Sequence, residues 1–151
     1  MVLTHTSRPI EIAGVTVMSE TSVDMVNHPP HYAGHPSGAE CIEITSHMGF
    51  CDGNAFKYVF RAGQKGDKIE DLRKAVWYLE FEKERALDFV PTGRPLILPL
   101  ARYVEWAMGQ RSKEDRGRAG VLMSIWAREY AEAAQQIKLW ISELESGAVY
   151  A

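Results

Sequence analysis

Between residues 67 and 88 the apolar positions Ile69, Leu72, Val76 and Leu79 step by three and four, with Ala86 further on. That spacing puts one face of a helix against a core. Asp67 stands where an N-cap would, and the predicted helix runs to about residue 88. A shorter helix is predicted over about 53–62, with Ala55, Val59 and Ala62 facing inward and Asp52 as its N-cap. Gly63 and Gly66 end it, so the two helices form a hairpin. "AECIEITSHM", residues 39–48, reads as a short helix that Gly49 would close.

Elsewhere the pattern changes. "IEIAGVTVM", residues 10–18, alternates around Gly14 and predicts a short strand pair or a bent arm strand. Residues 19–25 form a polar linker. "VNHPPHYAGHPSG", residues 26–38, carries Pro29, Pro30 and Pro36 and is an extended loop. "VPTGRPLILPL", residues 90–100, is a crossing segment, and a helix over about 100–109 follows. The charge run "RSKEDRGR", residues 111–118, is expected to be solvent-exposed, as a turn or a frayed helix start. A last long helix over about 119–146 carries Val121, Leu122, Ile125, Trp126, Ala133, Ile137, Trp140, Ile141 and Leu144. That stripe is wide, which raises a helix at a subunit interface beside simple packing within the chain. The expected fold is mainly α: a helical hairpin core, a long C-terminal helix and a short N-terminal β arm. The arm takes residues 1–23, the core 24–89 and a C-terminal helical extension 90–151.

Composition narrows the function classes. The chain has 151 residues, enough for one compact domain. Its net charge is −3, so no global basic field points to long nucleic acid, and any anion site is local. Only Cys41 and Cys51 are present, which fits a reducing compartment. The N-terminus has no signal-peptide pattern, and "PLILPLA" falls far short of the ~20 residues a membrane span needs. The expectation is a cytoplasmic protein without membrane contact.

The hairpin keeps a second face on each helix. At about 100° per residue, Asn54, Lys57, Tyr58 and Arg61 share one arc of the first helix. Asp71, Lys74 and Tyr78 share an arc of the second, away from its apolar stripe. The turn "RAGQKG" between them is basic and glycine-rich. Gly63 and Gly66 would let backbone N–H groups approach a ligand, and the following helix N-terminus attracts anions. Arg61, Lys65 and Lys74 would hold a phosphate, while Asn54 or Tyr58 would read a base or sugar. The plain alternative is a solvated face with Asp71 and Lys74 as a surface pair.

Other chemistries fit less well. A Walker loop needs G-x-x-x-x-G-K-[ST] after a strand, and "GQKGDK" has neither the spacing nor the strand. His28, His31, His35, Cys41, His47 and Cys51 match no zinc spacing, so no protein-held metal is expected. They read instead as loop histidines and two buried free thiols. Glu40 and Glu43 lie at i, i+3, as in helical nucleotide pyrophosphatases, but Glu70 and Asp71 are adjacent and make a poor second pair.

"VNHPPHY", "ECIEI", "GNAFKYVFRAGQKG" and "EDLRKAVWYLE", in that order, resemble the phage SaV-like family. This group of small bacteriophage proteins includes a podophage nucleotide kinase without the usual kinase motifs. The resemblance covers about residues 24–84. It implies a phage protein acting on nucleotides in the infected cell. Residue by residue it points to His31 and Tyr32 in the loop, and to Asn54, Lys57, Tyr58, Arg61, Gly63 and Lys65. On the long helix it points to Asp71, Lys74 and Tyr78, with Leu72, Ala75 and Leu79 as packing positions.

The leading expectation is therefore a homo-oligomeric nucleotide-binding protein with nucleoside monophosphate phosphorylation as the implied reaction. Arg61, Lys65, Lys74 and Asp71 are the candidate catalytic residues. His31, Tyr32, Asn54, Lys57, Tyr58, Gly63 and Tyr78 are the candidate nucleotide-binding ones, and Mg²⁺ would enter with the nucleotide. Rival readings are a sequestering protein that buries a nucleotide without turning it over, an interaction protein meeting a host partner, and the pyrophosphatase.

Overall fold

The computed structural model describes residues 5–12, 15–22, 25–27, 34–85 and 93–147. The described part is mainly helical. Two strands, β1 (His5–Ile12) and β2 (Val15–Ser22), pair antiparallel with His5 opposite Ser22 and Ile12 opposite Val15. Six helices follow: α1 (Cys41–Thr45), α2 (Phe50–Arg61), α3 (Lys68–Arg85), α4 (Leu98–Met108), α5 (Lys113–Trp126) and α6 (Tyr130–Glu145).

Helices α2 and α3 form the expected hairpin. Ala55, Phe56, Val59 and Phe60 of α2 meet Leu72, Ala75 and Leu79 of α3, all buried. The same core takes in Leu100 and Tyr103 of α4, Leu122 and Ile125 of α5, and Ile137 of α6. Residues 98–145 therefore complete the hydrophobic core that the hairpin begins. Each such apolar side chain contributes about 1.5–3 kcal/mol on burial.

The hairpin turn follows the sequence closely. Gly63 and Gly66 have φ of 90° and 67°, where an L side chain is strained. A Cβ on Gly63 would also stand 2.7 Å from the Lys68 side chain. Asp67 caps α3, its Oδ1 accepting from the Glu70 backbone N–H at 2.8 Å.

Four expectations need correction. Gly49 does not close α1, whose C-cap is Ser46; it is the extended N-cap of α2, with φ −76° and ψ 179°. Asp52 does not cap a helix at 53, because α2 already starts at Phe50. It is buried and accepts from Tyr130 Oη at 2.9 Å and from Arg94. Arg94 also donates to the Trp126 carbonyl at 3.0 Å. One carboxylate thus ties α2 to the crossing segment and to α6.

The long C-terminal helix is two helices. The chain breaks at 127–129, where Arg128 takes a φ of 63° and the Glu129 N–H donates to the Ser124 carbonyl at 2.9 Å. Two helices turning different faces inward explain the wide stripe: Trp126 and Trp140 are both buried within this one chain. Of the two forms expected for the run 111–118, it takes the helix start and not the turn, and its last residue is not solvated. Ser112 caps α5 by accepting from the Asp115 N–H at 3.2 Å, and Arg118 is buried. Its Nη1 donates to the carbonyls of Val59 at 3.3 Å and Phe60 at 3.0 Å, and its Nη2 pairs with Glu114 at 3.0 Å. Carbonyls near the end of α2 otherwise lack helical partners, so Arg118 holds the approach to the glycine turn from behind. Lys68 pairs with the same Glu114 at 2.7 Å.

Candidate functional site

The polar arcs of α2 and α3 do face each other. Their centre is the Tyr58 ring. Lys57 Nζ lies 4.5 Å from its centroid, the Arg61 guanidinium 4.9 Å and Lys74 Nζ 5.7 Å. Tyr58 stacks on Tyr78 with centroids 6.0 Å apart and planes 17° apart. An aromatic face attracts cations within about 6 Å, so the rings and the charges hold one another in place.

Each charge has its own partner. Arg61 grips Asp71 with two bonds, Nη2 to Oδ1 at 2.9 Å and Nε to Oδ2 at 3.2 Å. Asp71 is buried, so it belongs to the structure of the hairpin and not to a solvated face. Lys74 bonds to Glu70 at 2.5 Å instead of to Asp71, and this bond holds its pKa above the ordinary lysine value. Lys57 donates to Asn54 Oδ1 at 2.9 Å. Burial first, and the neighbouring Arg61 second, pull the Lys57 pKa down. A second negative charge at this spot would relieve that repulsion. Asn54 donates onward to the Phe50 carbonyl at 2.6 Å.

Of the residues singled out from the sequence, Asn54, Lys57, Tyr58, Arg61, Asp71, Lys74 and Tyr78 come together. Gly63 and Lys65 lie in the turn at one end, and Lys65 is exposed. His31 and Tyr32 lie outside the described residues. His35 is half-buried against Tyr103 at 4.8 Å and Trp106 at 4.5 Å, beside a polar pocket of about 210 Å³ behind the turn. Glu40 and Glu43 are engaged in a reciprocal capping box at the start of α1. Cys41 and Cys51 are buried free thiols, and burial pushes Cys41 up to about 12.

The sequence reading missed three rings. Phe50 meets Tyr78 edge-on at 6.0 Å. Trp77 meets Tyr78 edge-on at 5.1 Å and stacks on Phe81 at 5.6 Å. The signal was available: Trp77 and Phe81 stand at i, i+4 beside Tyr78 and off the core stripe.

From Phe50 to Tyr78 this face lies within the part of the chain that resembles other proteins. Residues 26–80 match the model of a family described as protein of unknown function, DUF3310. Over 73 residues the chain is 38% identical to the Gene 1.7 protein of Enterobacteria phage T3. That alignment takes in 41% of this chain and 44% of the phage protein, so the chain spans less than half the length of that relative. No solved structure matches.

Proposed function

We propose that this is a phage protein that binds a nucleotide on the face around Tyr58, and that it acts as a nucleoside monophosphate kinase of the phage SaV-like kind. The observation that carries the binding step is the ring of three cations about Tyr58, itself stacked on Tyr78. A nucleotide offers a π-face for the tyrosines and an anion for the lysines. Lys57 and Lys74 are the phosphate-binding residues in this reading. Tyr58 and Tyr78 form the base platform, and Asn54 orients Lys57. Phosphoryl transfer asks for position and charge neutralisation more than for covalent chemistry, which suits such a face.

The donor set does not fit a protein-held magnesium ion. Asp71 is clasped by Arg61 and Glu70 by Lys74, so the two carboxylates of this face already have cationic partners. The same observation favours a second reading, in which the protein sequesters a nucleotide without turning it over. The test is calorimetry against a panel of nucleoside mono-, di- and triphosphates, followed by chromatography of the recovered ligand. Binding with a new phosphorylated product supports the kinase. Binding with intact ligand supports sequestration, and no heat from any nucleotide removes both.

A further inference from the structure

The aromatic face is larger than one nucleotide needs, and it divides into two similar halves. In the first half Tyr58 stacks on Tyr78, planes 17° apart. In the second, Trp77 stacks on Phe81 with centroids 5.6 Å and planes 16° apart. Trp77 and Tyr78 join the halves edge to face. Each half has a cation over a ring: Lys57 at 4.5 Å from Tyr58, and Arg85 at 5.7 Å from Phe81. Among the described residues, neither Lys57 nor Arg85 has a carboxylate in salt-bridge contact, whereas Arg61 and Lys74 do. The second half is also open. Trp77 is 60% exposed, Phe81 42%, and Phe50, at the other edge of Tyr78, 77%. Rings of this size are rarely left uncovered side by side on a soluble fold without a binding role.

We infer that the face binds a short single-stranded oligonucleotide of at least two units, one base and phosphate to each ring pair and its cation. This rests on the nucleotide-binding reading above and extends it along α3. The charge pattern selects the occupant. An apolar partner would leave Lys57 and Arg85 without an anion. A mononucleotide would leave Trp77, Phe81 and Arg85 without a ligand. A ligand that repeats a planar base and a phosphate answers both halves, and it needs no global positive charge because each cation is local.

The test compares the four 5′-mononucleotides with the four 5′-phosphorylated homodinucleotides (pNpN) by calorimetry. Wild-type protein, Trp77→Ala, Trp77→Phe and Arg85→Ala are titrated in parallel. Wild type should bind at least one dinucleotide about tenfold or more tighter than its mononucleotide, within the range for one stacked base. Trp77→Ala and Arg85→Ala should erase that gain and leave mononucleotide affinity in place, and Trp77→Phe should keep most of it. Equal affinity for the two ligand lengths would overturn the inference while leaving mononucleotide binding standing. Absence of binding by every ligand would overturn both. If Trp77→Ala lowers the sedimenting mass and leaves dinucleotide affinity unchanged, the rings cover a second copy of the chain and the inference fails.

Discussion

Arg61 and Asp71 clasp each other across the glycine turn with two parallel hydrogen bonds, and the carboxylate is almost out of solvent. The pairing is ten residues apart in sequence and joins the last turn of α2 to the first turn of α3. It changes what Arg61 is expected to do. As the phosphate contact suggested by its place in the sequence, Arg61 would matter to binding and little to stability. As the partner of a buried carboxylate it matters to both.

Arg61→Ala should therefore destabilise the fold by about 3–5 kcal/mol, the cost of leaving one member of a buried pair alone. Asp71→Asn keeps a hydrogen-bonding shape and should cost less. The double variant should recover part of the loss, because no unpaired charge remains buried. Urea unfolding of the four proteins checks this. Unchanged unfolding midpoints for Arg61→Ala would return Arg61 to a purely ligand-binding role.

Asp52 makes a second link of this kind. Arg94→Ala leaves Asp52 with Tyr130 alone and also removes the bond to the Trp126 carbonyl. A loss of several kcal/mol is expected, in line with broken buried charge networks. Tyr130→Phe should cost about 1–3 kcal/mol, the range for a hydrogen bond to a charged group or a buried acceptor left short of a donor. Denaturant titration gives both values. A wild-type midpoint for Arg94→Ala would show that the crossing segment does not depend on Asp52.

His35 gives the fold a pH dependence. Burial first, and the Arg118 charge second, lower its pKa from the ordinary 6.5. The unfolded chain then binds the proton more tightly than the folded one. The sign follows: stability is fully present above the unfolded value and falls as pH drops below it towards the lowered folded value. Thermal midpoints measured from pH 7.5 to pH 5.5 should decline, and His35→Gln should flatten part of that decline. Equal slopes in the two proteins would show that the proton is taken up elsewhere.

The C-terminal helices belong to the core. Leu122, Ile125 and Ile137 are fully buried against the hairpin, and Arg118 bonds to the carbonyls of Val59 and Phe60. Truncation after about residue 110 would expose apolar area worth many times the 1.5–3 kcal/mol of a single side chain. Loss of cooperative unfolding, seen by circular dichroism, is the expected result, rather than a folded protein of lower assembly state. A truncated chain that still melts cooperatively would restore an assembly role for this region.

The hairpin was legible because its signals are local. A three–four apolar repeat, an N-capping Asp67 and two glycines at positive φ lie within a few residues of what they control. The convergence of Tyr58, Lys57, Lys74 and Tyr78 followed from helix geometry alone. Two of the missed features have remote partners. An aspartate at a helix start reads as a cap, and it takes Arg94, 42 residues on, and Tyr130, 78 residues on, to make Asp52 a buried acceptor. Arg118 sits in a charge run that looks solvated until the end of α2, nearly sixty residues earlier, is brought to it. The break between α5 and α6 has no glycine or proline to announce it. There the burial of Trp126 and Tyr130 on either side outweighs the helix propensity of "AREY".

The most direct test of the account is calorimetric titration of wild-type protein, Tyr58→Phe and Tyr58→Ala with a common nucleotide panel, alongside their thermal midpoints. Tyr58 is only half-buried, so the fold should tolerate all three. Wild type and Tyr58→Phe should bind the preferred nucleotide with similar affinity. Tyr58→Ala should lose about 1–3 kcal/mol of binding, the worth of one aromatic–base stack. Its loss should come without a matching fall in stability. Equal nucleotide affinity in all three proteins, or no binding in any, would contradict a nucleotide site on this face.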